Sequence, residues 1–344
     1  MTGAWAPSSP SERGSLKVPV LHKDIPARVL VTGSRGKSSV VRMLHAGFSA
    51  LGVESWARIT GVDPRELGPR KTRSILRSAG AHVGEMHWWL KGLPSTAGAV
   101  VLENSAVTPD LQELAAEWLD PSLTVFTNAV PDHQEAWGTM PGAAAHALAG
   151  GVPRGGTVVL PASMEYERPV LDLLQKRDCR IIPAETGQGA DTPHGAANLG
   201  LAIEALRLLG MDSLEACRAM RELPPDRYDF RVLEAGGVEL AMAFSANDAA
   251  STRRLFGSLG WAEADTHLVY NHRADRPARF RSFAAWLAGS GWRGVTVIGD
   301  RPPFRPGAAR YRRIRRADDF YAMFETGDRV FGCGNIAGLP LLLY

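Results

Sequence analysis

The sequence predicts an α/β protein with mostly parallel sheets, built as a larger lobe followed by a smaller one. Three observations predict it. Short apolar runs alternate with stretches of helical apolar spacing along most of the chain. Polar and glycine residues stand where the apolar runs stop, at the ends where open α/β sheets bind ligands. The pattern also breaks at Leu223-Pro-Pro-Asp-Arg227 and at Ala235-Gly236-Gly237, then restarts. The expected division is a loose tail over 1–17, a first lobe over 18–234 and a second α/β lobe over 235–344.

Composition agrees with this frame. The chain has 344 residues, 45% of them hydrophobic and 22% charged, as in a soluble globular protein of two domains. No apolar run reaches the roughly 20 residues needed to span a bilayer. The tail is rich in Ser, Pro and Gly and lacks the apolar centre of a secretion signal. Cys179, Cys217 and Cys333 show no C-x-x-C spacing, so neither a disulfide framework nor a zinc site is expected. A reduced, cytoplasmic setting follows, with no membrane segment. Net charge is only +3, which excludes the chain as a whole from binding polyanions. One local exception is the arginine run Arg301, Arg305, Arg310, Arg312, Arg313, Arg315 and Arg316. It reads either as solvated surface, as the edge of a strand around Ile314, or as a nucleic-acid contact.

The elements follow in order. Val29 to Val31 form a buried strand, and Val40, Val41, Leu44, Phe48 and Leu51 then recur at helical spacing. Ala99 to Leu102 make a second strand ending at Glu103. Leu123 to Thr127 make a third, followed by Asn128 and by Asp132-His133. Thr157 to Leu160 and Arg180 to Pro183 complete the set, and a helix over about 196–209 carries Leu199, Ile203, Leu206 and Leu209 on one face. In the second lobe strands are expected at Leu240–Phe244, Leu268–Asn271, Val295–Gly299 and Arg329–Gly332. Helices are expected at Ala249–Leu259, Phe280–Leu287 and Asp318–Phe324.

The most specific signal is Val29-Leu-Val-Thr-Gly-Ser-Arg-Gly-Lys-Ser-Ser39, a strand running into a glycine loop and a helix. Gly33 and Gly36 can take backbone angles closed to other residues. The helix N-terminus behind them offers unpaired N–H groups and a partial positive charge to an anion. Lys37 is suited to reach terminal phosphates, and the Ser38 or Ser39 hydroxyl a magnesium ion. The loop is a short G-x-x-G-K-S-S form, because position 31 is valine. Glu103, at the end of a parallel strand, is either a hard oxygen ligand for that magnesium or a solvated carboxylate. Asp132-His133 would supply a further metal ligand or orient a substrate carboxylate. In the second lobe Asn247-Asp248 follows the first strand, where a carboxylate can accept from ribose hydroxyls. Arg273, Asp275 and Arg276 follow the next strand, where an arginine can offset charge on a transferring phosphoryl group.

These blocks also carry a resemblance. The loop is followed by Thr60-Gly61, Gly84-Glu85, Glu103-Asn-Ser-Ala-Val-Thr-Pro-Asp110, Thr127-Asn-Ala-Val-Pro-Asp-His133 with Gly138, and Asn198. Then come Leu223-Pro-Pro-Asp226 with Arg231, Phe244-Ser-Ala-Asn-Asp-Ala-Ala-Ser-Thr252, Asn271-His-Arg-Ala-Asp-Arg276 and Phe331-Gly-Cys-Gly-Asn-Ile336. Over 28–344 the chain resembles the PgsB/CapB poly-γ-glutamate synthases, a branch of the Mur ligase superfamily that includes folylpolyglutamate synthases. The resemblance implies a Mur ligase-like fold, a P-loop ATPase domain with a Rossmann-like C-terminal domain. It implies an ATP-dependent, ADP-forming amide ligase that turns a carboxylate into an acyl phosphate captured by an amine. By position, Gly33, Ser34, Arg35, Gly36, Lys37, Ser38 and Ser39 would hold phosphate, and Ser38, Glu103 and His133 would hold Mg2+. Asn198, Arg231 and Asp248 would line the adenosine, with Arg273 and Arg276 facing the reacting phosphate. Lys37, His133 and Arg273 are the expected catalytic residues.

The chain departs from that pattern in three ways. It begins with a polar tail instead of an apolar anchor. It has no lysine in Pro141-Gly-Ala-Ala-Ala-His-Ala147, where many Mur ligases carry a carbamylated one, so His146 either replaces it or is an ordinary helix-surface histidine. It also lacks the domain that grips nucleotide-linked sugars, so cell-wall precursors are not expected substrates. The expected partners are a small carboxylic acid and an amine, with a homo-oligomer left open and no nucleic acid. The competing readings are a nucleotide-dependent switch whose arginine run docks RNA or an acidic partner, and an inactive subunit supporting an active homologue.

Overall fold

A computed structural model describes residues 23–77, 81–166, 168–190, 193–246 and 248–344. The expected tail and Asn247 lie outside the described residues. In chain order the first lobe contains β1 (Ala27–Thr32), α1 (Lys37–Ala50), β2 (Ser55–Ile59), β3 (Arg65–Leu67), β4 (Thr72–Ser74), α2 (Gly84–Lys91), β5 (Ala99–Glu103) and α3 (Gln112–Leu119). It continues with β6 (Leu123–Phe126), α4 (Gln134–Trp137), α5 (Ala143–Ala149), β7 (Thr157–Pro161), α6 (Arg168–Gln175), β8 (Arg180–Ala184), α7 (Pro193–Leu208) and α8 (Leu214–Arg221). The second lobe contains β9 (Val232–Ala235), β10 (Val238–Met242), α9 (Ala249–Ser258), β11 (Thr266–His272), α10 (Pro277–Leu287), β12 (Gly294–Gly299), β13 (Arg310–Tyr311), α11 (Ala317–Tyr321) and β14 (Arg329–Gly334).

The first sheet has the order β4-β3-β2-β5-β1-β6-β7-β8 and is parallel apart from β3 and β4. β1 pairs with β5 on one side and β6 on the other, with Val29 opposite both Val101 and Leu123. All three strands are buried apolar runs, as a parallel sheet covered on both faces requires. Because the chain leaves β1 in both directions, β1 is a topological switch, and a crevice opens at its carboxyl end.

Helix α1 covers one face of this sheet. Val40, Val41, Leu44 and Phe48 fall on one side of it and are fully buried against strand residues and α7. Each contributes about 1.5–3 kcal/mol of burial, so Leu44→Ala would cost roughly 2–5 kcal/mol. The opposite face is covered by α2 and α3 through Met86, Leu90, Ala115 and Leu119. This packing fixes the direction in which α1 starts, at the glycine loop.

The second sheet, β13-β12-β11-β14-β10-β9, is parallel except for β9, which pairs antiparallel with β10. Gly236 and Gly237, with φ of 60° and 80°, make the turn between those two strands. The glycine pair thus closes a hairpin inside the second sheet, and that sheet begins at Val232, ahead of the division expected at 235. The arginine run is mostly coil, since only Arg310–Tyr311 pairs as a strand. Ile314 packs into the core of the second lobe and the arginines around it are exposed. The segment joining the lobes is held to the first: Asp226 accepts from Arg65 at 2.6 Å and lies 3.8 Å from Arg42, which also donates to the Pro224 carbonyl at 2.6 Å.

Candidate active site at the phosphate loop and the interlobe crevice

The loop between β1 and α1 is held by backbone geometry and by the segment after β6. Gly36 is the residue before α1 and has φ 79°, while Gly33 has φ 124°. A Cβ on Gly36 would come within 2.6 Å of Asn198 Oδ1, and one on Gly33 within 2.1 Å of Thr127 Oγ1. Ser34 N–H donates to the Asn128 carbonyl (2.9 Å), and the Ser34 hydroxyl donates to the Val130 carbonyl (2.7 Å). The Asn128 side chain bonds both ways to Arg35, accepting from its N–H at 3.2 Å and donating to its carbonyl at 3.1 Å.

No side chain caps α1, and its first turn contains no acid. Its leading N–H groups and the positive end of its dipole are therefore available to an anion. Together with the close approach at Gly36, this is the donor set a nucleotide phosphate requires. The Lys37 ammonium lies over the loop, donating to the Gly33 carbonyl at 2.7 Å. Burial pushes its pKa down, opposed by Glu103 and reinforced by Arg35.

Glu103 ends β5 with a buried carboxylate beside the loop. Its Oε2 accepts from the Ser38 hydroxyl at 3.0 Å and from Thr60 N–H at 3.2 Å. A hydroxyl and a carboxylate held side by side are hard oxygen donors that fit Mg2+. Among the described residues no three His, Cys, Asp or Glu side chains gather as a metal site. The remaining positions of an octahedral ion would thus fall to phosphate oxygens and water.

Past β6, Asp132 and His133 turn toward the second lobe. Asp132 receives Arg35 from the loop at 3.2 Å and Arg279 from α10 at 3.4 Å. Burial opposes its ionised form, but the charges of Arg35 and Arg279 and a hydrogen bond from the His133 backbone overcome this and hold its carboxyl below the usual range. His133 has φ 44°, an uncommon left-handed conformation for a residue with a side chain. Its Nδ1 lies 3.1 Å from Arg276 Nη1, and Nε2 lies 3.6 Å from Asp132. Burial lowers its pKa; Asp132 resists that, and Arg276, Lys37 and Arg35 add to it. The neutral ring then accepts from Arg276 at Nδ1 and carries its proton on Nε2. With Nδ1 engaged by Arg276, the His133 ring is turned toward the second lobe.

A crevice of about 270 Å³ lies here, lined from the first lobe by Asp132, His133 and Glu135 and from the second by Asp248, Arg276 and Arg279. Asp248 also caps α9, accepting from Ser251 N–H at 2.7 Å. Arg279 donates in addition to Asn335 Oδ1 at 2.5 Å, and Asn335 is locked by its Nδ2 donating to the Asn271 carbonyl at 3.0 Å.

The loop residues 33–39, Glu103, Asn198, His133, Asp248 and Arg276 are thus brought to one region. Two expected residues make other contacts. Arg273 makes a two-point pair with Asp275, at 3.0 and 2.7 Å, and does not line the crevice. Arg231 donates to the carbonyls of Asp226 and Arg227, and its guanidinium lies over the Tyr344 ring. Sequence reasoning missed three residues of the site. Asn128 was visible only as a polar residue ending a strand. Arg279 follows Arg276 by three positions, so a helical start at Pro277 would have set both on one side. Asn335 lies within the Phe331–Ile336 block, where nothing in the spacing sets it apart from its neighbours. His146 is exposed on α5, an ordinary helix-surface histidine.

Two α/β lobes, a phosphate loop opening a helix and a crevice lined from both sides define a class of nucleotide-dependent ligases. The chain belongs to the Mur ligase family, whose middle-domain model matches residues 31–202. Residues 228–344 match the model for the poly-gamma-glutamate synthase CapB C-terminal domain. The chain is 28% identical over 284 residues to PGA synthase CapB of Bacillus subtilis (strain 168), covering 76% of this chain and 71% of that one. It is 26% identical over 283 residues to capsule biosynthesis protein CapB of Bacillus anthracis, covering 76% of this chain and 60% of the relative. A bifunctional folylpolyglutamate synthase/dihydrofolate synthase, solved with Mn, AMPPNP and L-glutamate bound, has the same fold. It superposes with a TM-score of 0.63 at 15% identity, over 94% of this chain and 91% of that one. The Mur ligase-like fold and the CapB-type resemblance expected from the sequence are both borne out. No helix among the described residues is long and apolar enough to cross a membrane.

Proposed function

We propose that this chain is an ATP-dependent, ADP-forming ligase joining a carboxylic acid to an amine, with amino acids of the glutamate type as substrates. The observation that carries this reading is the meeting of two lobes: a phosphate cradle with the Ser38–Glu103 pair on one side, and Arg276 and Arg279 on the other. The names of its relatives and the family match supply the reaction class.

In this reading a substrate carboxylate oxygen attacks the γ-phosphorus and ADP leaves. An amine then attacks the acyl carbon, releasing phosphate and losing a proton. Gly33 to Ser39 hold the phosphates through backbone N–H groups and Lys37. Ser38 and Glu103 hold Mg2+, whose chemistry is to offset phosphate charge. Arg276 brings a second positive charge from the opposite lobe, and neutral His133 fixes its direction. Phosphoryl transfer needs in-line positioning and charge neutralisation more than covalent help. Contact between lobes also keeps water from the acyl phosphate. Asn198 and Asp248 line the nucleoside side, and Arg231 and Arg273 serve the structure of the second lobe. The unpaired Cys179, Cys217 and Cys333 fit a reducing, cytoplasmic setting.

The test is phosphate release with individual amino acids, coupled to hydroxylamine trapping. Release stimulated by an accepted acid, with a hydroxamate formed in its presence, is the expected result. Lys37→Ala should stay folded and lose both signals. Hydrolysis indifferent to every amino acid, with no hydroxamate, would refute the reading.

A further inference from the structure

The contacts that join the lobes continue beyond the crevice in both directions. Asp132 gives one carboxylate oxygen to each lobe: Oδ2 lies 3.2 Å from Arg35 Nη1 in the phosphate loop, and Oδ1 lies 3.4 Å from Arg279 Nη2 on α10. Arg279 divides its terminal nitrogens in the same manner, Nη2 to Asp132 and Nη1 to Asn335 Oδ1 at 2.5 Å. Asn335 directly follows β14, Asn271 lies near the end of β11, and both are buried. The two asparagines bond reciprocally. Asn335 N–H and Nδ2 both donate to the Asn271 carbonyl, at 3.1 and 3.0 Å. Asn271 Nδ2 donates to the Asn335 and Ala337 carbonyls, at 2.5 and 2.8 Å.

These neighbours leave the Asn335 amide one orientation. A backbone carbonyl only accepts and a guanidinium only donates, so Nδ2 must face Asn271 and Oδ1 must face Arg279. A flipped amide would lose both bonds at once. The acceptor is also neutral. A carboxylate in its place would compete with Asp132 for the Arg279 charge, whereas an amide fixes the guanidinium and leaves that charge directed across the crevice. At the other end of the network, Arg35 is tied to Asn128 through its backbone. Its Nε and Nη2 are enclosed and meet no acceptor among the described residues. That edge is the two-point face of a guanidinium, the side that receives an oxyanion.

We propose that Asn335 is a positioning residue for the interlobe contact. It aims Arg279 at Asp132, and the shared Asp132 in turn sets the side-chain direction of Arg35 in the phosphate loop. Docking of the second lobe thereby completes the charge around the loop, through a neutral amide that touches neither nucleotide nor substrate. The effect on turnover rests on the ligase reading above; the network itself does not.

The test is a double-mutant cycle on the full chain with N335A, D132N and N335A/D132N, read by amino-acid-stimulated ADP formation and by urea unfolding. Each single variant should lower kcat by about tenfold, and in the double variant the second substitution should add less than about twofold, because the network is already open. A role for Asn335 confined to the packing of the second lobe would leave the two residues independent, so their losses would multiply. Multiplying losses overturn the proposal, as does an N335A variant that turns over like the parent. N335S keeps a short acceptor and takes the place of N335A in the same cycle if the alanine variant does not fold. If no amino acid stimulates turnover in the parent, the cycle is read from the urea midpoints. Non-additive midpoints then leave the network standing while the ligase reading fails, and additive midpoints overturn the network.

Discussion

Arg276 Nη1 lies 3.1 Å from His133 Nδ1, so a residue opening α10 in the second lobe meets one that follows β6 in the first. This contact requires a neutral ring, which burial supplies. It holds the Arg276 guanidinium at the crevice through a partner that carries no charge of its own to cancel it. Arg276→Ala should therefore lower turnover by roughly 10²-fold, comparable to the loss of one preorganised charge donor. Arg276→Lys should recover little, because an ammonium cannot copy the guanidinium fork. Steady-state ADP formation distinguishes these outcomes.

Asp132 is bound by two arginines from different lobes, Arg35 and Arg279. Asp132→Asn leaves both cations without their shared counter-charge. A loss of about 3 kcal/mol is expected, in the range for breaking a buried pair. Urea unfolding of the variant measures it, and an unchanged midpoint would remove Asp132 from the interlobe network.

Glu103→Gln keeps a side chain able to contact Ser38 and Thr60 but removes the negative charge offered to a divalent ion. Calorimetric titration with an ATP analogue should show at least about tenfold weaker Mg2+-dependent binding. Binding in EDTA should change much less. Equal losses with and without metal would mean that Glu103 only holds the loop.

His45, on α1, contacts the Ser55 hydroxyl at 3.1 Å, and burial brings its pKa down to about 4. In the unfolded chain it returns to about 6.5, so between these values the unfolded state binds more protons. Its contribution is complete above pH 6.5 and disappears as pH falls toward 4, about 3 kcal/mol in all. His45→Gln should flatten that part of the stability–pH curve. An equally steep acid loss in the variant would assign the effect to other groups.

Much of this molecule is legible from sequence because its central strands are unbroken apolar runs. β1, β5 and β6 could be read directly, and with them the ends that bear the phosphate loop, Glu103 and Asn128. β2 escaped because Arg58 interrupts it. That arginine is only 2% exposed and is held by Glu85 at 2.6 Å, a pairing between residues distant in sequence. β3 and β4 are too short to show a period. In the site, residues at strand ends could be found by position. Arg273 and Arg276 could not be ranked, since both follow β11 and the local pair Arg273–Asp275 depends on the turn between them. Side-chain direction decides that choice, and alternation patterns do not encode it.

Helix α1 opens at the phosphate loop and, six residues along, carries Arg42, which grips Pro224 and Asp226 in the strap leading to the second lobe. The helix thus bridges two places: its start lies at the loop, and its flank touches the joint. The phosphate loop and the joint between the lobes are therefore anchored to one and the same helix.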